Sequence, residues 1–414
     1  MNTTKTRFTP GALLRNTLTV ILAGGHGTRL YPLTKHRAKP AVPFAGAYRI
    51  IDFTLSNCVN SGLRRVFVLT QYKSFSLDRH LQQGWSSLRY DMGEFILQLP
   101  PQERMKRSWY EGTADAIFQN LYVFQEQRPE YTVILSGDHV YLMDYAPMLA
   151  AHENTGADLT IAAIPVPRQD ARRFGVLQVD ASNRIVGFEE KPRDPASWRD
   201  DQTSLVSMGV YVFSTDVLVR RVLEDAKNPQ SEHDFGQNII PGMVNRDAVF
   251  AYSMPAMSGC EPYWRDIGTI DSYWQTSMDI LRPDPPLNLY DPSWPVRTYR
   301  DHRPPPIVID DGHPAGPFIR NSMVCAGARI TSARIDRSIV ALDNVVCPGA
   351  DIEETVLMSR VRVGEGARLR RAIVDKDVDI PAGETIGYDL ERERKRFLVT
   401  DNGIVVIPRG YVFD

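Results

Sequence analysis

The sequence predicts an α/β chain of two domains, a mainly parallel, doubly wound sheet followed by a parallel β-helix. Three observations predict it. Apolar strand-like runs alternate with helical stretches through the first half, a proline-dense segment then interrupts the chain, and beyond it aliphatic residues return at short, regular spacing between small turn residues. The length of 414 residues also exceeds one ordinary core.

The first run, Leu18-Thr19-Val20-Ile21-Leu22, stops at Gly24-Gly25, as a buried parallel strand opening into a loop would. Similar runs follow at Arg65 to Thr70, Thr132 to Leu135 and Leu159 to Val166, and Ala114 to Gln127 reads as a helix. From Pro283 to Pro317 the prolines can continue neither a helix nor a central strand. This divides the chain into a first domain over 1–282, a linker over 283–317 and a second domain over 318–414. A long surface loop of a single domain is the alternative. In the last segment Val324, Ile330, Ile335, Ile339, Val345 and Ile352 begin a run of inward aliphatics about six residues apart, broken by turns such as Pro348-Gly349-Ala350. An irregular β-sandwich is the competing architecture.

Charged residues at 24% and hydrophobic residues at 43% describe an ordinary soluble protein, and a net charge of −2 gives no reason to expect nucleic acid or a membrane as partner. The charge is uneven, however. No acidic residue precedes Asp52, whereas Arg15, Arg29, Lys35, Arg37, Lys39 and Arg49 all fall before it. That local field suits a polyanionic ligand. The four cysteines lack metal-ligand spacing and read as thiols of a reducing compartment. Leu18 to Ala23 is too short for a signal or membrane segment, so a cytoplasmic location is expected.

The loop Ala23-Gly24-Gly25-His26-Gly27-Thr28-Arg29-Leu30 follows the first strand, and its glycines let backbone N–H groups approach phosphate oxygens. Leu30 stands where a dinucleotide fingerprint needs its third glycine, and the Walker lysine is missing. Arg29 supplies a fork of donors and Lys39 a point charge just beyond the loop, a set fitted to a triphosphate. Asp138 follows the run Val133-Ile134-Leu135, at the carboxyl end of a strand, where open α/β sheets bind ligands. With Asp266 it makes two separated carboxylates, enough for Mg²⁺ when phosphate oxygens complete the shell. Each aspartate is otherwise a cap or turn residue. Lys191, after Glu190 and before Pro192, is a candidate cation for a sugar phosphate, with Glu190 taking sugar hydroxyls. His139 and His233 have no partner at ligand spacing and read as structural.

Six segments, Leu22 to Leu30, Arg37 to Ala41, Ile50 to Phe53, Ser136 to His139, Glu190 to Pro192 and Tyr263 to Thr269, together resemble the bacterial glucose-1-phosphate adenylyltransferases. Trp109 to Ala116, Asp234 to Gly236 and Tyr290 to Trp294 point to the adenylyl branch. The resemblance implies a GT-A-like (Rossmann-like) nucleotidyltransferase domain joined to a left-handed parallel β-helix, a homotetramer, and dependence on Mg²⁺. It implies ATP and glucose 1-phosphate as substrates, ADP-glucose and pyrophosphate as products, and a first, regulated step of glycogen or α-glucan synthesis. By the same resemblance Arg29, Lys39 and Asp138 are catalytic, and Gly24, Gly25, Gly27, Thr28 and Gly112 join Arg29 and Lys39 around ATP. Tyr110, Gly175, Glu190, Lys191 and Ser207 take glucose 1-phosphate, and Asp138 and Asp266 the metal. A thymidylyl- or uridylyltransferase on the same scaffold, and a catalytically dead regulatory subunit, are the competing readings.

Phosphorylated or carboxylate effectors are expected at Lys35, His36, Arg37 and Arg49. The sequence departs from the family at His26, His36 and Glu103, and the end Arg409 to Asp414 lacks a strongly basic tail. A bisphosphate is therefore expected to activate poorly, and activation to fade with rising pH through His36.

Overall fold

The computed structural model describes residues 10–86, 88–102, 109–257, 259–314 and 316–413; Glu103 and Asp414 lie outside them. Strand Thr17–Ala23 is central, with Arg65–Thr70 parallel on one side and Tyr131–Ser136 parallel on the other. Phe95–Leu99 extends the sheet in parallel beyond Arg65–Thr70. All of these strands but the last are apolar almost throughout, because both faces are covered by helices.

The second half of the sheet departs from the expected parallel order. Thr203–Ser214 runs antiparallel to both Tyr131–Ser136 and Leu159–Pro167, and Gly175–Val179 pairs antiparallel with Ile185–Glu190. The sheet is mixed. Thr203–Ser214 serves three neighbours, Tyr131–Ser136, Leu159–Pro167 and, at Val206, Gly175–Val179, and its pairing with Leu159–Pro167 breaks register between Ser207 and Tyr211, around Gly209.

The helix expected over 114–127 is two helices, Thr113–Gln119 and Leu121–Gln127. Asn120 separates them, since its side-chain amide donates to the Ala116 carbonyl at 2.8 Å and to the Tyr110 hydroxyl at 3.0 Å. Helix Ile270–Asp279 begins at a reciprocal cap in which the Ser272 N–H donates to Thr269 Oγ1 and the Thr269 N–H to Ser272 Oγ.

The last segment forms three sheets, each stacking one short strand per coil in parallel, with Leu398–Val399 added antiparallel at the end of the third. Register runs Arg329 to Val345 to Arg362 to Asp379 on one face, with Ile330, Val346, Val363 and Ile380 stacked inward. The first rung, Ile307–Ile309, lies inside the stretch read as linker, so the β-helix begins before residue 318. Its terminal position leaves Ile307 and Val308 exposed, which hides the inward pattern from the sequence.

The two domains share one apolar cluster. Leu33, Phe44 and Tyr273 of the first pack with Ile339, Val356, Ile373 and Val406 of the second. Around it Arg37 pairs with Asp375, and the Trp274 indole N–H donates to the Glu354 carbonyl at 2.8 Å. No helix among the described residues is long and apolar enough to cross a membrane.

Candidate functional site

A pocket of about 410 Å³ opens at the carboxyl ends of the parallel strands. Gly24, Gly25 and His26 form one wall, Tyr110, Gly112 and Thr113 another, and Asp138 lies at its edge. The glycine loop leaves the strand through Gly27, whose φ of 62° favours glycine, and Thr34 Oγ1 holds it by donating to the Gly27 carbonyl at 2.9 Å. Gly112 is needed for close approach, because a Cβ there would collide with the His233 carbonyl.

Lys39 is buried and joins the two candidate metal ligands. Its ammonium lies 2.5 Å from Asp138 Oδ2 and 3.0 Å from Asp266 Oδ1. Asp138 also accepts from Ser136 Oγ, and Asp266 reaches the site because Trp264–Asp266 pairs antiparallel with His139–Tyr141. Burial alone would raise the Asp138 carboxyl, but Lys39 and His139 outweigh it and hold it well below the usual carboxylate range. Burial likewise opposes the Lys39 charge, and the two aspartates reverse that effect and raise it. Arg29 is exposed, and a Cβ built on Gly268 would meet its guanidinium at 3.4 Å and Asp266 at 2.8 Å, so Arg29 and Asp266 border the same space.

Donor atoms of Asp138, His139 and Asp266 all lie within 4.8 Å of one another. Two carboxylates at this separation fit a hard divalent cation that takes its remaining ligands from phosphate and water.

Gly175, Glu190, Lys191 and Ser207 gather beside this pocket. The Glu190 carboxylate lies against Gly175 and Gly236, leaving no room for a Cβ at either. Lys191 is exposed and pairs with Glu190 at 2.6 Å, on a backbone held at φ 48° by its N–H bond to the Phe174 carbonyl. A lysine in the left-handed region costs of the order of 1 kcal/mol and points to a positional demand. Ser207 Oγ lies 3.5 Å from the Tyr211 hydroxyl.

Three residues of this region had no site role assigned from sequence. Gln71 lines the pocket and donates to the Tyr110 carbonyl, and Asp234 fixes Thr113 Oγ1 at 2.9 Å while capping Gly236 and Gln237. Burial raises the Tyr211 phenol, its bond with Ser207 opposes the shift, and the negative charges of Glu190 and Asp234 add to it. Only Asp234 carried a motif signal, through Asp234-Phe-Gly236.

A separate cleft of about 270 Å³ lies between the domains. Arg49 and Arg79 line it from the first domain, Arg360, Lys376 and Arg409 from the second. The expected effector residues divide here. Arg49 lines the cleft; Lys35 and His36 are exposed and are not among its lining residues; Arg37 lines it, but its guanidinium is engaged by Asp375. The carboxyl end, read as lacking a basic tail, contributes Arg409, which pairs with Asp377 at 2.8 Å. Burial, with Arg49 and Arg37 nearby, depresses the Lys376 ammonium to about 7.

The nucleotidyl transferase family profile matches residues 18–282, and the GlmU-like C-terminal hexapeptide profile matches 304–407. These spans correspond to the sheet domain and to the left-handed parallel β-helix. The chain is 48% identical over 406 residues to the glucose-1-phosphate adenylyltransferase of Rhodopirellula baltica, covering 96% of this chain and 91% of that one. It is 49% identical over 398 residues to that of Hydrogenovibrio crunogenus, covering 95% and 94%. With glucose-1-phosphate adenylyltransferase 2 of Vibrio cholerae it shares 47% identity over 405 residues, covering 97% and 99%. Both domains are thus matched in order and nearly end to end, and the chain belongs to the nucleotidyl transferase family, in its glucose-1-phosphate adenylyltransferase branch.

Proposed function

We propose that this chain catalyses ATP + α-D-glucose 1-phosphate = ADP-glucose + diphosphate, as a regulated first step of glycogen or α-glucan synthesis. The observation that carries the reading is the meeting of Lys39 with Asp138 and Asp266 at the edge of a glycine-walled pocket. A phosphate oxygen of glucose 1-phosphate attacks the α-phosphorus of ATP. The bond to the bridging oxygen breaks, and pyrophosphate leaves with its electrons. Gly24, Gly25, Gly27, Thr28 and Gly112 shape the nucleotide site, and Arg29 and Lys39 meet the charge that builds on the departing phosphates. Tyr110, Gly175, Glu190, Lys191 and Ser207 orient the sugar phosphate, Lys191 leaving Glu190 for the incoming anion.

Asp138 and Asp266 would hold Mg²⁺, which would neutralise phosphate charge. Small phosphorylated or carboxylate effectors would occupy the interdomain cleft, where Arg49, Arg79, Lys376 and Arg409 supply cations. A cytoplasmic homotetramer completes the proposal. Pyrophosphate release, measured over four nucleoside triphosphates and several sugar phosphates, tests it. ATP with glucose 1-phosphate should give the highest kcat/KM; a preference for dTTP or UTP would overturn the base assignment.

A further inference from the structure

A third concavity, of about 470 Å³, opens between the C-terminal ends of helices Ile50–Asn60 and Phe75–Gly84 and the segment Pro292 to Arg297. It shares no lining residue with the nucleotide pocket or the interdomain cleft. Arg64 and Arg297 reach it, and no carboxylate is among its described lining residues. Two arginines lining one space with no carboxylate among its lining residues give it a positive character, and a dianion bound there would gain charge-assisted contacts. Trp85, Leu88 and Ile96 give the pocket an apolar side that an inorganic ion would leave unused.

The pocket is also connected to the cleft through a single buried carboxylate. Trp85, on the pocket side, donates its indole N–H to Asp52 Oδ1 at 3.0 Å, and His80, on the cleft side, shares the same oxygen at 2.6 Å. Thr298, between Arg297 of the pocket and Tyr299 of the cleft, donates to Asp52 Oδ2 at 2.7 Å. The Arg49 N–H donates to that oxygen at 2.8 Å. A ligand that shifts Trp85 would therefore disturb the carboxylate that also holds the Arg49 backbone N–H and the His80 ring.

We propose that this pocket binds a small organic phosphate monoester, separately from the interdomain cleft, and that its occupancy is communicated to the cleft through Asp52. The binding stands without the catalytic reading; the communication rests on the cleft being an effector site. Calorimetric titration of the full chain with glycerol 3-phosphate, with ADP-glucose present to fill the active site, tests both.

Wild type should show two classes of site. Arg64→Gln with Arg297→Gln should weaken one by about tenfold or more and keep the other, and Arg360→Gln with Arg409→Gln should do the reverse. Unchanged melting temperatures would establish that both variants fold. An isotherm unaltered by the Arg64 and Arg297 substitutions overturns the pocket site and leaves the cleft reading standing. Loss of all binding in the Arg360 and Arg409 variant overturns the second site as well. Filling the pocket in wild type should shift cleft affinity by about fivefold. Trp85→Phe, which keeps the wall and removes the N–H to Asp52, should abolish that shift. The same shift in Trp85→Phe, or none in wild type, overturns the communication.

Discussion

The Arg37 guanidinium and the Asp375 carboxylate meet across the domain boundary, Nη1 to Oδ1 at 2.9 Å and Nη2 to Oδ2 at 3.0 Å, both buried. Such a pair adds little net stability, but removing one partner strands the other charge at about 3–5 kcal/mol. Asp375→Asn should lower the unfolding free energy by an amount of that order, and the double replacement Arg37→Met with Asp375→Leu should recover most of it. Urea denaturation of the three proteins measures both effects. Equal losses in the single and double variants would show that the stranded charge is not the cause.

Asp138→Asn keeps the shape of the site and removes the charge that pairs with Lys39. An amide is a poor ligand for a hard cation, so turnover should fall by far more than tenfold, about 1.4 kcal/mol, with the melting temperature nearly unchanged. A smaller fall in kcat would remove Asp138 from the catalytic set.

Lys191 lies with the Glu190 cluster and is not among the residues lining the nucleotide pocket. Lys191→Ala should raise KM for glucose 1-phosphate much more than KM for ATP. Steady-state kinetics in both substrates decides it, and parallel changes would place the lysine elsewhere.

Lys376 provides a pH dependence in the cleft. Its ammonium is depressed to about 7, so it is charged below that pH and neutral above it, and a bound anion favours the charged form. The half-saturating effector concentration should rise as pH climbs from about 6 to about 8.5, and Lys376→Met should flatten the slope. His36→Lys should leave the slope unchanged, since His36 is not among the cleft-lining residues. The stability sign runs the other way from a salt-bridged lysine. Between about 7 and the ordinary 10.5 the folded chain holds fewer protons than the unfolded chain, so this group makes stability increase with pH across that window.

Deleting the chain after Arg282 should give insoluble or dissociated protein. Leu33, Phe44 and Tyr273 would lose the partners that now cover them. Size-exclusion chromatography of the fragment checks this, and a soluble, fully active fragment would contradict it.

Where local chemistry decides structure, the sequence was sufficient. The run from Leu18 to Leu22 and its glycine stop place the phosphate-facing loop, and the aliphatic spacing after Val324 describes the stacked coils. Three features were illegible, two because they depend on distant partners and one because it turns on a single side chain's choice of bond. The antiparallel course of Thr203–Ser214 is set by its neighbours, since its apolar residues suit either direction. Asn120 interrupts a helical pattern through its side-chain amide, which donates to the Ala116 carbonyl and the Tyr110 hydroxyl. Arg37 looks like a free cation until Asp375, on the other domain, is brought to it.

The shared cluster around Tyr273 and Ile373 has a consequence for how this protein can change over generations. Two family profiles match successive stretches of the chain, one over each domain. Energetically they are one unit, because a foreign β-helix would bring a different surface to Phe44 and Leu33 and no acid opposite Arg37. Recombination at the proline-rich junction should therefore yield mostly unfolded offspring unless both sides of that contact travel together. Scanning calorimetry of the intact chain should accordingly record a single cooperative melting event.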